Sequence, residues 1–318
     1  MTVLPRRTRP RRARRLAVPL LALAATVAAC GGQSATSTTS TGGAKGAAST
    51  SRFDAFGKVA MDPAAAAKLP ARIKTAGKLV VVMNVSSPPT QFYATDNKTI
   101  IGLNADFARA LGRVLGAPIQ IQDVQFDGII PGLTAKRFDF AISSMAATLE
   151  RLKVLDMVRY GAWGTSLAVA NDNPLKLTTS NLCGHKIAVQ QGTIQESLRL
   201  PGFSRACQSA GKPAVQPVVL PSQTDALMQL GSGRVDGVLV DSPVVGYAAL
   251  QTPGKFQLVA ELHRSPVAIG LLKGSDLTPA VQAGLSALIK SGTYQAIFDK
   301  WGMKPSAISQ PVLETTSS

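Results

Sequence analysis

From residue 78 onward the chain alternates short β-branched runs with stretches of helical period, and that alternation admits few folds besides a largely parallel sheet with helices on its faces. Lys78 to Val85 reads as a strand, stopped by Ser86-Ser87-Pro88-Pro89, whose prolines cannot continue a ladder. Asp96-Asn97 marks a turn. Ile100-Ile101-Gly102 then leads into a helix for which Asn104 is the expected N-cap, with Phe107, Leu111, Val114 and Leu115 on one face and Gly116 and Pro118 ending it. Ile119 to Val124 is the next strand, and Phe126 to Lys136 the next helix, with Pro131 near its start. Two βα units in this order bring strand ends and helix amino termini to one edge of a doubly wound sheet, where backbone N–H groups favour an anionic ligand.

The third strand carries the chemistry. Phe138, Phe140, Ala141 and Ile142 form a short apolar run suited to burial on both faces, and the sequence then turns abruptly to Ser143, Ser144, Thr148 and Arg151. The crevice outside the carboxyl end of such a strand is the usual ligand site of an α/β sheet, and an arginine there can grip a carboxylate through two parallel charge-assisted bonds.

The theme repeats. After a strand-like segment at Thr165 to Ala170, Lys186 to Gln190 reads as a strand followed by the turn Gln191-Gly192-Thr193-Ile194-Gln195-Glu196. Gly192 lets the backbone approach a ligand and Thr193 and Gln195 offer donors, although a capped helix start without a ligand has the same pattern. Gln223 to Leu230 is helical, and the apolar run Val235 to Val240 ends in Asp241-Ser242-Pro243. Asp241 mirrors Arg151 at a second strand end, with a plain turn residue as the alternative. Gln91, Phe92 and Tyr93 suit either a ligand wall or the closed end of a core. Val267 to Leu272 is a last strand, and helices at Pro279 to Lys290 and Thr293 to Trp301 close the domain.

The formal charge of +16 would ordinarily point to nucleic acid, but seven arginines lie in the first fifteen residues. With residues 1–30 set aside, 27 basic face 18 acidic side chains, and at 5% aromatics the chain lacks the stacking residues of a single-strand binder. Nucleic acid is therefore excluded as the expected partner. The arginine-rich start and the apolar run Leu16 to Ala29, interrupted by Pro19, read as a signal peptide over residues 1–30. Val27-Ala28-Ala29-Cys30 resembles the lipobox of bacterial lipoproteins, which makes Cys30 the lipid attachment point and the outer face of the cell membrane the expected location. An ordinary secretory signal cut after Ala29 is the alternative, and Arg14-Arg15 leaves the Sec or twin-arginine route open.

Residues 31–52 are almost all Gly, Ser, Thr, Ala and Gln, a tether that would span roughly 25 Å. Cys183 and Cys207, the two remaining cysteines of an exported domain, are expected to form a disulfide. With two histidines in the chain and no ligand spacing around His185 or His263, neither a metal nor a cofactor is expected.

Taken in order, Pro88-Pro89, the segment Gly102 to Gly116, Phe126-Asp127-Gly128-Ile129-Ile130-Pro131, the run SSMAATLER, Gln191-Gly192-Thr193, Gly233 to Asp241 and Lys300-Trp301-Gly302 resemble the family 3 extracellular solute-binding proteins of bacterial ABC importers. The resemblance covers about Lys78 to Trp301. It implies a two-lobe type II periplasmic-binding-protein fold, each lobe a doubly wound mixed sheet with helices on both faces and the ligand cleft between them. The divisions it implies are a signal peptide at 1–30, a tether and pre-domain segment at 31–71, lobe 1 at 72–164 plus 267–310, lobe 2 at 165–266 and a tail at 311–318.

Carried over by position, Arg151 would clamp the α-carboxylate of an amino-acid-like ligand, helped by Ser144 and by the backbone near Ala146 and Thr193, and Asp241 would take the α-ammonium. The expected protein is a monomer that delivers this ligand to a membrane permease and is not an enzyme. A sensing role for a membrane receptor and a cyclohexadienyl-dehydratase-like enzyme on the same scaffold are the alternatives. Thr90 after Pro-Pro, Phe126 in place of a usual tryptophan and Ile194 in place of a commonly polar residue depart from the family pattern, so the side-chain pocket stays unassigned.

Overall fold

The computed structural model describes residues 56–262 and 264–315, all within one compact unit. The signal segment, Cys30 and the tether at 31–52 lie outside the described residues. The chain enters through two short helices, α1 (Pro63–Ala67) and α2 (Ala71–Ala76), and continues with β1 (Leu79–Met83), β2 (Phe92–Tyr93), β3 (Ile100–Ile101), α3 (Leu103–Leu115) and β4 (Ile119–Asp123). Then come α4 (Ile129–Thr134), β5 (Phe140–Ala146), α5 (Leu149–Leu152) and the long β6 (Leu155–Trp163). After Gly164 follow β7 (Thr165–Ala170), β8 (Lys186–Gln190), α6 (Leu200–Ser209), β9 (Gln216–Leu220), α7 (Gln223–Gly231), β10 (Gly237–Asp241), α8 (Ser242–Gln251) and β11 (Phe256–Glu261). The chain closes with β12 (Ser265–Leu272), α9 (Thr278–Lys290), α10 (Thr293–Lys300) and β13 (Val312–Leu313).

Of these strands, β2 and β3 pair with each other as a separate antiparallel ribbon, and the other eleven form two mixed sheets. One has six strands in the order β13-β6-β12-β5-β1-β4 and the other five in the order β11-β7-β10-β8-β9. In the first, β1 lies parallel to β4 and β5, while β12 is antiparallel between β5 and β6. In the second, β8 lies parallel to β9 and β10, and β7 is antiparallel to β10 and β11. Helices cover both, giving the two-lobe α/β architecture of the type II class.

The chain crosses between sheets twice, from Trp163 to Thr165 and from Glu261 to Ser265. At the first crossing a Cβ on Gly164 would stand 2.5 Å from the Leu262 carbonyl oxygen, so glycine alone lets the crossing strands touch. The Leu262 N–H donates to the Thr165 carbonyl at 2.7 Å and ties the pair together.

The six-stranded sheet is filled by Val81, Phe107, Phe140, Tyr160, Ile269 and Phe298, all fully buried. The described part of the pre-domain segment is not separate from this core, because Ala65 and Leu69 bury into it. Nor is the segment after residue 310 only a tail: β13 pairs with β6, the Glu314 N–H donates to the Met157 carbonyl at 2.8 Å, and the buried Glu314 carboxylate pairs with Arg159.

Two expectations need correcting. Asn104 does not cap α3; Gly102 does, at φ 123°, where a Cβ would meet the Thr90 carbonyl oxygen at 2.4 Å. Asn104 consequently falls inside the first turn and is fully buried. The helix expected from Phe126 is split into a 3₁₀ turn, Phe126–Gly128, and α4, which begins at Ile129.

Cys183 and Cys207 are bonded, with Cα atoms 5.4 Å apart, and join the entry to β8 with α6. The bridge spans 24 residues of sequence, so replacing both cysteines by serine is expected to cost about 3 kcal/mol of stability. Urea unfolding of the double variant checks this, and an unchanged midpoint would rule out a stabilising bridge.

Candidate functional site

The site is assembled from the ends of β5 and β10. Along β5 the register with β12 advances from Ala141↔Gly270 to Met145↔Ala268, four residues on β5 against two on β12, so the strand bulges at Ser143 and Ser144. Ser144 sits at φ 57°, a left-handed conformation that costs a non-glycine residue about 1–3 kcal/mol and re-aims the side chains around it. As a result, Ser143 turns inward and its Oγ accepts the Asn84 N–H at 3.0 Å, while Ser144 faces the space between the sheets.

A buried polar network fixes Ser144. The Asn104 Nδ2 donates to Ser144 Oγ at 3.1 Å and to Gln91 Oε1 at 2.6 Å, and the Tyr160 hydroxyl donates to Asn104 Oδ1 at 2.7 Å. Tyr160 reaches this network because β6 carries one extra residue there, between the pairs Arg159↔Ala268 and Gly161↔Val267. Burial pushes the Tyr160 phenol well above its ordinary pKa, so it serves as a neutral donor.

Arg151 lies on α5, one turn after Thr148, whose hydroxyl caps the helix by accepting the Arg151 N–H at 3.3 Å. Its side chain is buried and stands over the Phe126 ring, 5.5 Å from the centroid. Nη1 donates to the Ala146 carbonyl at 2.8 Å, and Nη2 reaches across to the Gly192 carbonyl of the other sheet's edge at 3.0 Å. Burial lowers its pKa to about 10, with Asp241 opposing that fall.

Asp241 closes the opposite wall. Gln195 Nε2 donates to its Oδ1 at 2.7 Å, Gln223 Nε2 to its Oδ2 at 2.9 Å, and the Asp241 N–H returns to Gln223 Oε1 at 2.8 Å. Gln195 opens a π-helical turn, Gln195–Arg199, directly after the Gly192-Thr193 bend, and Gln223 begins α7. Burial raises the Asp241 pKa, against the pull of Gln223, Gln195, Arg151 and Trp163.

Between these walls lies a cavity of about 20 Å³ lined by Phe126, Ser144, Ala146, Arg151, Thr193, Ile194, Gln195, Gln223 and Asp241. That is the space of one water molecule. The walls also touch directly: Gln190 Nε2 donates to Asn84 Oδ1 at 2.9 Å, Thr224 Oγ1 to the Ser86 carbonyl at 2.5 Å, and the Phe92 and Tyr247 rings stand 5.9 Å apart.

Of the residues expected at the site, Arg151, Asp241, Ser144, Ala146, Thr193 and Gln195 line this cavity, and Thr148 supports it as the cap of α5. Three lie elsewhere. Ser143 bonds Asn84 just past the end of β1, Gln191 is solvent-exposed and its N–H pairs with the Leu220 carbonyl, and Phe92 packs between Tyr247 and Trp301. Sequence reasoning missed Gln223, Asn104 and Tyr160. Their signal was weak, since an amide at a helix start and a phenol in a strand acquire a role only when a bulge or a facing wall aims them.

The chain is similar to several known proteins over most of its described length. The arginine-binding protein ArgT of Corynebacterium glutamicum is 29% identical over 79% of this chain and 83% of its own length. The crystal structure of the ancestral amino acid-binding protein AncCDT-1, a precursor of cyclohexadienyl dehydratase, matches with a TM-score of 0.65 and 28% identity over 72% of this chain and 97% of that one. An ancestral arginine-binding protein bound to glutamine matches with a TM-score of 0.65 and 29% identity, over 71% of this chain and 98% of that one. The model of the bacterial extracellular solute-binding proteins, family 3, spans residues 79–304, and the chain belongs to that family.

Proposed function

We propose that the protein is the extracytoplasmic substrate-binding component of an ABC importer, capturing an amino acid between its lobes and delivering it to a membrane permease. The observation that carries this is the pairing of Arg151 and Asp241 on facing walls of one cavity, a cation and an anion held apart as a zwitterion requires. Arg151 takes the carboxylate, Asp241 the ammonium, and Ser144, Thr193 and the Ala146 backbone complete the grip. The cavity is smaller than any amino acid, so entry requires the walls to part, and closure over the ligand replaces the Arg151–Gly192 bond with bonds to the ligand. Lobe 1 is taken as 72–164 plus 267–310, with the described parts of the segments before 72 and after 310 packed on it, and lobe 2 as 165–266, with attachment to the membrane through a lipid on Cys30 and a monomeric state.

The side chain that fits is uncharged. Among the described residues lining the cavity Asp241 is the only carboxylate, and it already faces the ammonium, while Phe126 and Ile194 supply apolar surface. A guanidinium enclosed there would lack an anionic partner. Calorimetric titration with each amino acid tests both statements: neutral amino acids are expected to bind at least about tenfold more tightly than arginine or lysine, a difference of roughly 1.4 kcal/mol. Tighter arginine binding would overturn the side-chain assignment, and no binding of any amino acid would overturn the function. A dehydratase-like reading draws on the likeness to AncCDT-1, and turnover of a bound compound in the same screen would establish it.

A further inference from the structure

We infer that the protein has a second binding site, for a small aromatic monocarboxylate, in the apolar cavity between α7 and α8. The cavity measures about 260 Å³ and shares no lining residue with the cleft that holds Arg151 and Asp241. Leu227 and Met228 of α7, Val244 of α8 and the Phe256 ring at the start of β11 line it, and Pro88, from the loop after β1 of the other sheet, adds a further wall. Thr224, also in the lining, donates its hydroxyl to the Ser86 carbonyl at 2.5 Å, so the cavity is complete only while the two lobes touch. A dry apolar cavity of about 150 Å³ takes up benzene, which leaves room here for a ring and a short acid arm.

The charge of the ligand follows from Lys255. Among the described residues it is the one charged side chain in the lining, and its Nζ stands 5.7 Å from the Phe256 ring centroid. Its stem lies against the end of α7, where a Cβ on Gly231 would come within 2.7 Å of Cε. Capping that helix does not occupy the ammonium, because the carbonyls of Met228, Gln229 and Leu230 already accept the N–H groups of Ser232, Arg234 and Gly233. Nor does Lys255 form an ion pair with any described residue. A cation at the edge of an apolar cavity suits a ligand with an apolar body and one anionic end, the body buried among the side chains and the carboxylate on the ammonium. A second negative charge would find no cation in the lining.

The test uses the full chain labelled with ¹³C at methionine methyls, and phenylacetate as the probe. Met228 lines this cavity and no methionine lines the cleft, so the Met228 methyl reports on this site. Its resonance is expected to shift saturably with a Kd below about 1 mM, and to do so in Arg151→Ala as well, where the carboxylate grip of the cleft is gone. Lys255→Gln, a change at an exposed residue, is expected to weaken phenylacetate by about three- to fivefold, and uncharged phenylacetamide to bind the wild-type protein more weakly by a similar factor and to be indifferent to Lys255→Gln. A methyl unmoved at millimolar phenylacetate would overturn the inference and leave this face as a surface for a protein partner. A titration indifferent to Lys255→Gln, or lost in Arg151→Ala, would overturn it as well. Lys255-dependent binding in a protein that binds no amino acid would uphold the second site and overturn the functional reading instead.

Discussion

Replacing Arg151 by alanine is expected to weaken amino-acid binding by roughly 30-fold to several thousand-fold, the cost of removing one partner from a buried hydrogen-bonded charge pair. The size follows from where the guanidinium is held. Its Nη1 and Nη2 sit on the Ala146 and Gly192 carbonyls, on two different walls, and Phe126 covers its face. A carboxylate closed into this space without the arginine would be desolvated and unpaired. The lobes are expected to stay folded, because burying the guanidinium already costs enough to lower its pKa and its removal relieves that cost. Arg151→Lys separates charge from geometry: it keeps the cation, loses the planar fork and is expected to recover only part of the affinity. Calorimetry on both variants decides the matter, and an affinity unchanged in Arg151→Ala would remove the residue from the site.

The fold was largely legible because its signals are local and repetitive. Lys186 to Gln190 was readable to the residue, since a β-branched run bounded by turn residues has one solution in an α/β chain. Arg151 and Asp241 were readable for a related reason, as charges placed where buried strands stop. What could not be read were the places where the backbone departs from regularity. The bulge at Ser143 and Ser144 turns Ser144 to the cavity and Ser143 to Asn84, where the sequence alone places both at the site, and the extra residue at Tyr160 sends its phenol to Asn104 instead of into the sheet. Both depend on how β12 pairs with its neighbours, more than a hundred residues later in the chain, and no local pattern encodes that. Gln191 illustrates the same limit from the other side, because strand alternation at the edge of β8 turns it to solvent while Gln190 points inward to Asn84.

Asp241→Asn carries the second large effect, and its sign can be worked out from burial. The folded-state pKa of this carboxyl is raised, so the protonated form is favoured by folding. Its contribution to stability is therefore fully present below the ordinary aspartate value of about 3.9 and is lost as pH rises through the folded pKa. An ammonium bound against the carboxylate opposes this by favouring the ionised form. Binding then releases a proton near the folded pKa, so the affinity of the wild-type protein for a zwitterion is expected to fall as pH is lowered through that window, and the melting-temperature gain from ligand to shrink with it. Asp241→Asn is expected to lose about 2–5 kcal/mol of affinity for the amino acid at neutral pH, to flatten this acid limb, and to leave the weaker binding of the deaminated carboxylate nearly unchanged, since that ligand engages Arg151 alone. Titration of both ligands into both proteins across the acid range provides the check. A variant that loses the two ligands equally would show that Asp241 shapes the cavity through Gln195 and Gln223 without contacting the ammonium.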